Sequence, residues 1–183
     1  YLPQLKLSSK FLALCIYKGP NNVFKAMTFT SEDGLRFTYH PEMAWHQGLD
    51  APDYPISIVY DANNNTFILY HRPAHTDRRI AMTRTTDFLH YTPIEVILQS
   101  DCLDAPLTDF YGITVFDDAP FFVGFVMMYQ TPNYLRLGNH RVSSLFGHKF
   151  DGGPVTAQLV YSSDGSHFSR SFRKSFFQNQ KSG

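Results

Sequence analysis

"YSSDGSHF" (161–168) joins a hydroxyl residue, a spacer, Asp and Gly to an aromatic shortly downstream, the make-up of a tight turn between two strands. The arrangement recurs. "TSEDGLRF" (30–37) and "RTTDFLHY" (84–91) repeat the hydroxyl, the Asp and the aromatic, and each copy follows an apolar stretch: "FKAMTF", "RRIAMT" and "VTAQLVY". A carboxylate in such a turn can accept backbone N–H bonds across it, so Asp33, Asp87 and Asp164 read as structural.

A second repeat runs in phase with the first. "LDAP" stands at 49–52 and at 103–106, the same offset that separates Asp33 from Asp87. Just downstream, "DYPISIVYD" (53–61) aligns with "DFYGITVFD" (109–117): Asp opens each segment, an aromatic and alternating apolar positions follow, and Asp closes it. Two registers agreeing at a period of about 50 residues, with several short strands per unit, point to the blades of a β-propeller.

Each unit reads as a four-stranded antiparallel meander. In the second, strands are expected near 55–60, 66–72, 79–85 and 95–98, with the Asn-rich "DANNNT" (61–66) as a hairpin turn. In the third they are expected near 111–116, 121–129, 155–162 and 168–172, interrupted by an insertion over 130–153. The first offers "FLALCIYKG" and "FKAMTFTSEDG", its opening strand being "YLPQLKL" or missing. The fold class is therefore all-β, with blades at about 1–48, 49–102 and 103–176. Three blades are too few to close a ring, and the chain opens on Tyr1 rather than Met. A piece of a longer polypeptide is expected, its exposed blade faces met by the remaining blades or by self-association.

Composition excludes some functions. Formal net charge is zero, which gives no support to nucleic-acid or membrane-surface binding. No segment approaches the roughly 18 consecutive apolar residues of a membrane helix. Cys15 and Cys102 fit no metal or redox spacing and read as buried thiols. The histidines of "YHRPAHTDRRIAMT" (70–83) have no third ligand at a sensible spacing, so neither a metal nor any other cofactor is expected.

The first strand of a propeller blade lines the central channel, and Asp53 and Asp109 head that strand in successive blades. Two carboxylates at neighbouring positions around a funnel suit glycoside hydrolysis, where one attacks or activates water and the other donates a proton. Arg72, closing the second strand, could reach the same mouth to hold a substrate hydroxyl or orient a carboxylate. Arg79 shares that hairpin, whereas Arg78 reads as a solvated residue paired with Asp77. Tyr54 and Tyr111, each close to a candidate Asp, are the aromatics best placed to stack on a sugar, with Trp45 and Tyr129 behind them; most of the 29 aromatics must fill space between sheets. The insertion could overhang the mouth as a substrate-shaping loop.

The segments "DYPISIVYDANNNTFILYHRP", "RRIAMTRTTDFLHYTPIEVILQSDCLDAP", "TDFYGITVFDDAPFFVGFVMMYQ" and "GGPVTAQLVYSSDGSHFSR" resemble the five-bladed propeller glycosidases, and among them uncharacterised proteins allied to glycoside hydrolase families 32 and 43. The resemblance implies a funnel-shaped site with acidic residues from successive inner strands, matched by Asp53 and Asp109, with Arg72 matching the Arg that ends the next strand. It implies a carbohydrate substrate or ligand. Thr156 departs from the Asp of related sequences, and the Arg-Asp-Pro triplet and Glu-Cys pair of invertases are missing. A non-catalytic carbohydrate-binding or protein-interaction propeller is the alternative. A sialidase-like enzyme would need an arginine triad and a Tyr–Glu pair, which cannot be assembled from this sequence.

Overall fold

The structure, a computed structural model, describes residues 9–18, 24–45, 53–73, 78–105, 108–118, 120–130, 136–137, 140–141 and 155–176. Among them every regular element is a strand: β1 (Phe11–Lys18), β2 (Phe24–Ser31), β3 (Thr38–Trp45), β4 (Asp53–Asp61), β5 (Thr66–Arg72), β6 (Ile80–Thr85), β7 (Glu95–Leu98), β8 (Thr108–Asp118), β9 (Phe121–Gln130), β10 (Arg136–Leu137), β11 (His140–Arg141) and β12 (Val155–Ser162). No helix among the described residues is long and apolar enough to cross a membrane.

Three antiparallel sheets follow one another along the chain. The first has the order β1-β2-β3, the second β4-β5-β6-β7 and the third β12-β9-β8. An isolated bridge from Tyr161 to Ser169 continues the third sheet beyond β12, where a full strand over 168–172 was expected. Among the described residues of the insertion between β9 and β12 stands the two-residue pair β10–β11. Successive meanders stacked in this way are the blades of a β-propeller.

The repeat seen in the sequence aligns the sheets residue by residue. In each, the hydroxyl residue of the Asp turn ends one strand and is paired with a phenylalanine on the strand before it: Ser31 with Phe11, Thr85 with Phe67 and Ser162 with Phe122. The turns are built alike. Asp33 Oδ1 accepts the N–H of Leu35 and of Arg36, Asp87 Oδ1 those of Leu89 and His90, and Asp164 Oδ1 those of Ser166 and His167, all at 2.8 Å. The hydroxyl oxygen accepts the N–H of the residue after the Asp, which takes a positive φ in every copy: Gly34 (75°), Phe88 (59°) and Gly165 (72°). The structural reading of these three aspartates is what the geometry shows.

Alternation along the strands creates two apolar layers. Phe67 and Leu69 of β5 face the first sheet and form a cluster with Ala26, Met43 and Phe88, flanked by Leu12 and Leu14. Ile68 and Tyr70 point the other way, into a cluster with Val59, Met82, Ile113, Val115, Phe122, Val126 and Val160. All seven residues of β5 are buried because this strand is covered on both faces. Among the described residues, the first sheet has a core cluster on one face only. That explains why Cys15 is exposed rather than buried, since it lies on the other face of β1; Cys102 is exposed in the turn before β8.

Polar groups lock the second and third sheets together. Tyr70 Oη donates to Gly165 O at 2.8 Å, and Arg84 Nη2 donates to Asp164 O and Ser166 Oγ. Asp104, from the second "LDAP", holds Arg170 in a two-pronged pair with both side chains buried, and Gln158 Oε1 accepts from the same guanidinium. Arg173 bridges Asp101 and Asp104 at the rim. This cluster fastens the connection leading into β8 to the outer edge of its own sheet. The first "LDAP" lies outside the described residues.

Candidate functional site

The first strands of the second and third sheets run side by side in the same direction. A Cβ on Gly112 would come within 2.3 Å of Pro55 Cγ, so glycine is what lets the two backbones approach this closely. Further along, Val115 N–H donates to Ser57 Oγ at 3.0 Å. This parallel register brings Asp53 and Asp109, which lie at the beginnings of β4 and β8, to the same end of the molecule.

Arg72 closes β5 and is the Cα partner of Asp53. Its guanidinium crosses to the neighbouring sheet, donating from Nη1 to Tyr111 O at 3.0 Å and lying 5.0 Å from the centroid of the Tyr111 ring. Arg78 joins it, 5.6 Å from the Tyr111 ring and 4.9 Å from that of Tyr129, while its carbonyl accepts Phe110 N–H at 3.0 Å. The two tyrosine rings are tilted against each other at 6.3 Å. Asp109, the Cα partner of Tyr129, is buried with 4% of its surface exposed. His71, the neighbour of Arg72, is also buried, and loss of solvation pushes its imidazole down to about 4, so it is neutral near pH 7.

The structure therefore gathers Arg72, Tyr111 and Asp109 at one end, with the backbone of Asp53 beside them. Arg79 is half-buried just before β6. The side chains of Asp53, Tyr54 and Trp45 lie outside the described residues, as do His75, Asp77 and most of the insertion. Two expectations need correction. Arg78 is not a solvated hairpin residue; it is half-buried against two tyrosines, a contact between sheets that local sequence could not reveal. Tyr129 is 5% exposed and packed beneath Arg78, which leaves it no open face for a sugar. Thr156, second in β12, lies opposite Met128 at the same end. No group of three or more metal-ligating side chains occurs among the described residues.

The site combines a buried carboxylate, two guanidinium groups stacked on tyrosine and a parallel pair of inner strands. It can order oxygen-rich ligands by charge-assisted hydrogen bonds. No protein-family model and no curated protein sequence matches the chain. Solved structures share its fold. An N-acetylgalactosamine deacetylase from F. plautii, in complex with blood group B trisaccharide, superposes with a TM-score of 0.51 at 14% identity, over 92% of this chain and 54% of that one. The GH93 α-L-arabinofuranosidase of Fusarium graminearum, in complex with arabinobiose, gives 0.52 at 14% identity, over 85% of this chain and 42% of that one. The chain thus spans about half the length of these structures or less. The likeness is one of fold, and it agrees with the stacked antiparallel sheets.

Proposed function

We propose that this chain is a segment of a glycan-handling β-propeller, with its ligand held at the end where β4 and β8 begin. The observation carrying this reading is the convergence of Asp109, Arg72, Arg78 and Tyr111 on that end, beside the backbone of Asp53. Two structures of the same fold, complexed with blood group B trisaccharide and with arabinobiose, support a carbohydrate as the ligand class. The finer proposal is a five-bladed glycoside hydrolase, with Asp53 as nucleophile or general base and Asp109 as acid or transition-state stabiliser. Carboxyl groups about 5–5.5 Å apart would give retention, and about 6.5–9.5 Å inversion. Arg72 holds a substrate hydroxyl or orients a carboxylate, and Arg79, Tyr54 and Tyr111 contribute to substrate binding.

Burial of Asp109 and the guanidinium groups already stacked on Tyr111 favour a second reading, a non-catalytic carbohydrate-binding propeller. One experiment separates the two. Hydrolysis of an aryl glycoside panel is measured together with binding to a glycan array, for the wild type and for Asp53→Asn and Asp109→Asn. Catalysis predicts a fall in turnover of at least about a hundredfold in both variants with binding retained. Binding without turnover assigns the second reading. Turnover that survives in both variants removes the carboxylates from the mechanism, and silence in both assays removes the glycan.

A further inference from the structure

Arg170 and Asp104 form a buried ion pair for which the repeat does not account. In the third sheet Ser169 N–H donates to Tyr161 O at 2.8 Å, as Thr92 N–H donates to Arg84 O at 2.9 Å in the second. The residue that follows is Pro93 in the second sheet and Arg170 in the third. A proline at that place leaves the Asp turn and the meander intact, so the blade itself does not call for an arginine.

Stability is a poor reason for the pair as well. The two side chains are 5% and 4% exposed, and for charges so far out of water the lost hydration offsets most of the attraction. What the pair supplies is geometry. Arg170 Nη1 donates to Asp104 Oδ2 at 2.8 Å and Nη2 donates to Oδ1, a two-pronged grip that fixes direction as well as distance. Nη2 also donates to Gln158 Oε1 at 3.0 Å, and Arg173 Nη1 reaches the same carboxylate at 3.3 Å.

The grip acts on both sides of Asp109. Upstream, Asp104 is folded back on Asp101: its N–H donates to Asp101 O at 3.1 Å, and its Oδ2 accepts the N–H of Asp101 at 3.0 Å. Thr108 closes the connection, with its N–H and its Oγ1 both donating to Ala105 O. Downstream, the Arg170 guanidinium lies 4.7 Å from the centroid of the Phe110 ring. That ring is fully buried, and Phe110 N–H donates to Arg78 O at 3.0 Å. Asp109 is the single residue between Thr108 and Phe110, so its backbone is fixed once those two are held.

We propose that Arg170 is a positioning residue, which through Asp104 on one side and Phe110 on the other sets where the Asp109 carboxylate stands at the candidate site. This inference rests on the reading of that end as a glycan site and deepens it, by adding a residue from the far edge of the third sheet. A shift of about 1 Å caused by a distant substitution costs a site of this kind on the order of a hundredfold. The two-pronged pair is the device that prevents such a shift.

The test uses the full 183-residue chain. Asp104→Asn and Arg170→Met are made together, so that neither charge is left buried alone, and compared with Asp109→Asn and with the triple variant. Amide exchange is followed by NMR. Function is followed as aryl glycoside turnover and as glycan-array binding, and compared on whichever of the two Asp109→Asn impairs. In the paired variant the Phe110 amide should exchange at least about tenfold faster, while those of Val126 and Val160 in the same sheet keep their rates. Function should fall at least about tenfold, and the triple variant should be no worse than Asp109→Asn, because Arg170 acts through Asp109. A pair that only stabilised the fold would lower the denaturation midpoint and leave the function of the folded protein alone. Arg170→Lys, which keeps the charge and loses the two-pronged grip, should show the same pattern and supplies the test if the paired variant does not fold. Phe110 exchange at the wild-type rate overturns the proposal. So do undiminished function in the paired variant, losses that multiply in the triple one, and an Asp109→Asn that impairs neither assay. A wild type silent in both assays overturns the glycan reading instead, and the Phe110 amide then decides alone whether Arg170 fixes the start of β8.

Discussion

The two internal joints use the same turn in opposite ways. Between the first and second sheets, the residue after the turn Asp is Phe88, whose ring is fully buried and meets Phe67 at 4.8 Å. Between the second and third, the equivalent residue is Gly165, and the backbone itself approaches until Tyr70 Oη binds its carbonyl. One joint is plugged by a side chain and the other latched by a hydrogen bond. A conserved backbone shape therefore does not dictate what fills the space between sheets. Phe88 also shows which effect wins. Holding a non-glycine residue at φ 59° costs about 1–2 kcal/mol, while burying a phenylalanine gains about 1.5–3 kcal/mol and tight packing adds more.

Substitutions at these two turns test the contrast. Phe88→Ala should have the largest effect, losing about 3–5 kcal/mol in chemical denaturation, because it empties the plug and retains the unfavourable φ. A loss below about 1 kcal/mol would mean that the first joint is not held by that ring. Gly165→Ala should cost about 2–4 kcal/mol, combining overpacking against Ile68 and Tyr70 with the positive φ. The same change at Gly34 meets only the Phe11 ring at 3.4 Å and should show the φ penalty alone. Equal losses at Gly165 and Gly34 would refute the latch. Tyr70→Phe should cost about 1–2 kcal/mol, since it deprives the buried Gly165 carbonyl of its donor.

The smallest effect is one of pH and touches all three turns. Burial pushes Asp87 up, but the side chain and N–H of His90 and the N–H of Leu89 outweigh it and hold the carboxyl at about 2. The N–H of His167 leads in holding Asp164 below the usual carboxylate range, and that of Arg36 does the same for Asp33. Each is depressed from an ordinary 3.8, so its contribution is complete above that value and is lost as pH falls towards the folded-state pKa. The denaturation midpoint should therefore decline below about pH 4, less steeply in Asp87→Asn than in the wild type. His167 works in the other direction. Its pKa is raised by Asp164, so its share is present below 6.5 and fades as pH rises through the raised value.

Much of this fold could be read from spacing. The Asp turns and the strands of the second sheet fall where the repeat and the alternation put them, because both are local patterns. β3 was not foreseen: "TYHPEMAW" contains Pro41, which argues against a strand, yet β3 is the edge of its sheet and proline is tolerated there. The role of Phe88 was hidden because an Asp-Phe step says nothing about which sheet receives the ring. In the candidate site, the shared end of Asp53 and Asp109 followed from the repeat. The stacking of Arg78 on Tyr111 and Tyr129 joins residues from different sheets, and no local signal marks it. Cys15 is exposed because burial of a strand residue depends on whether a neighbouring sheet exists on that side, and Cys102 because it lies in a turn.

The seven-residue burial of β5 sets an order of events when the molecule loosens. Amide protons of the middle sheet can reach solvent only after an end sheet has swung away, so deuterium uptake should begin at β1 and β12 and arrive at β5 last. The strand richest in neighbours thereby acts as the slowest clock in the chain, and its exchange rate reports the departure of whichever flank leaves first.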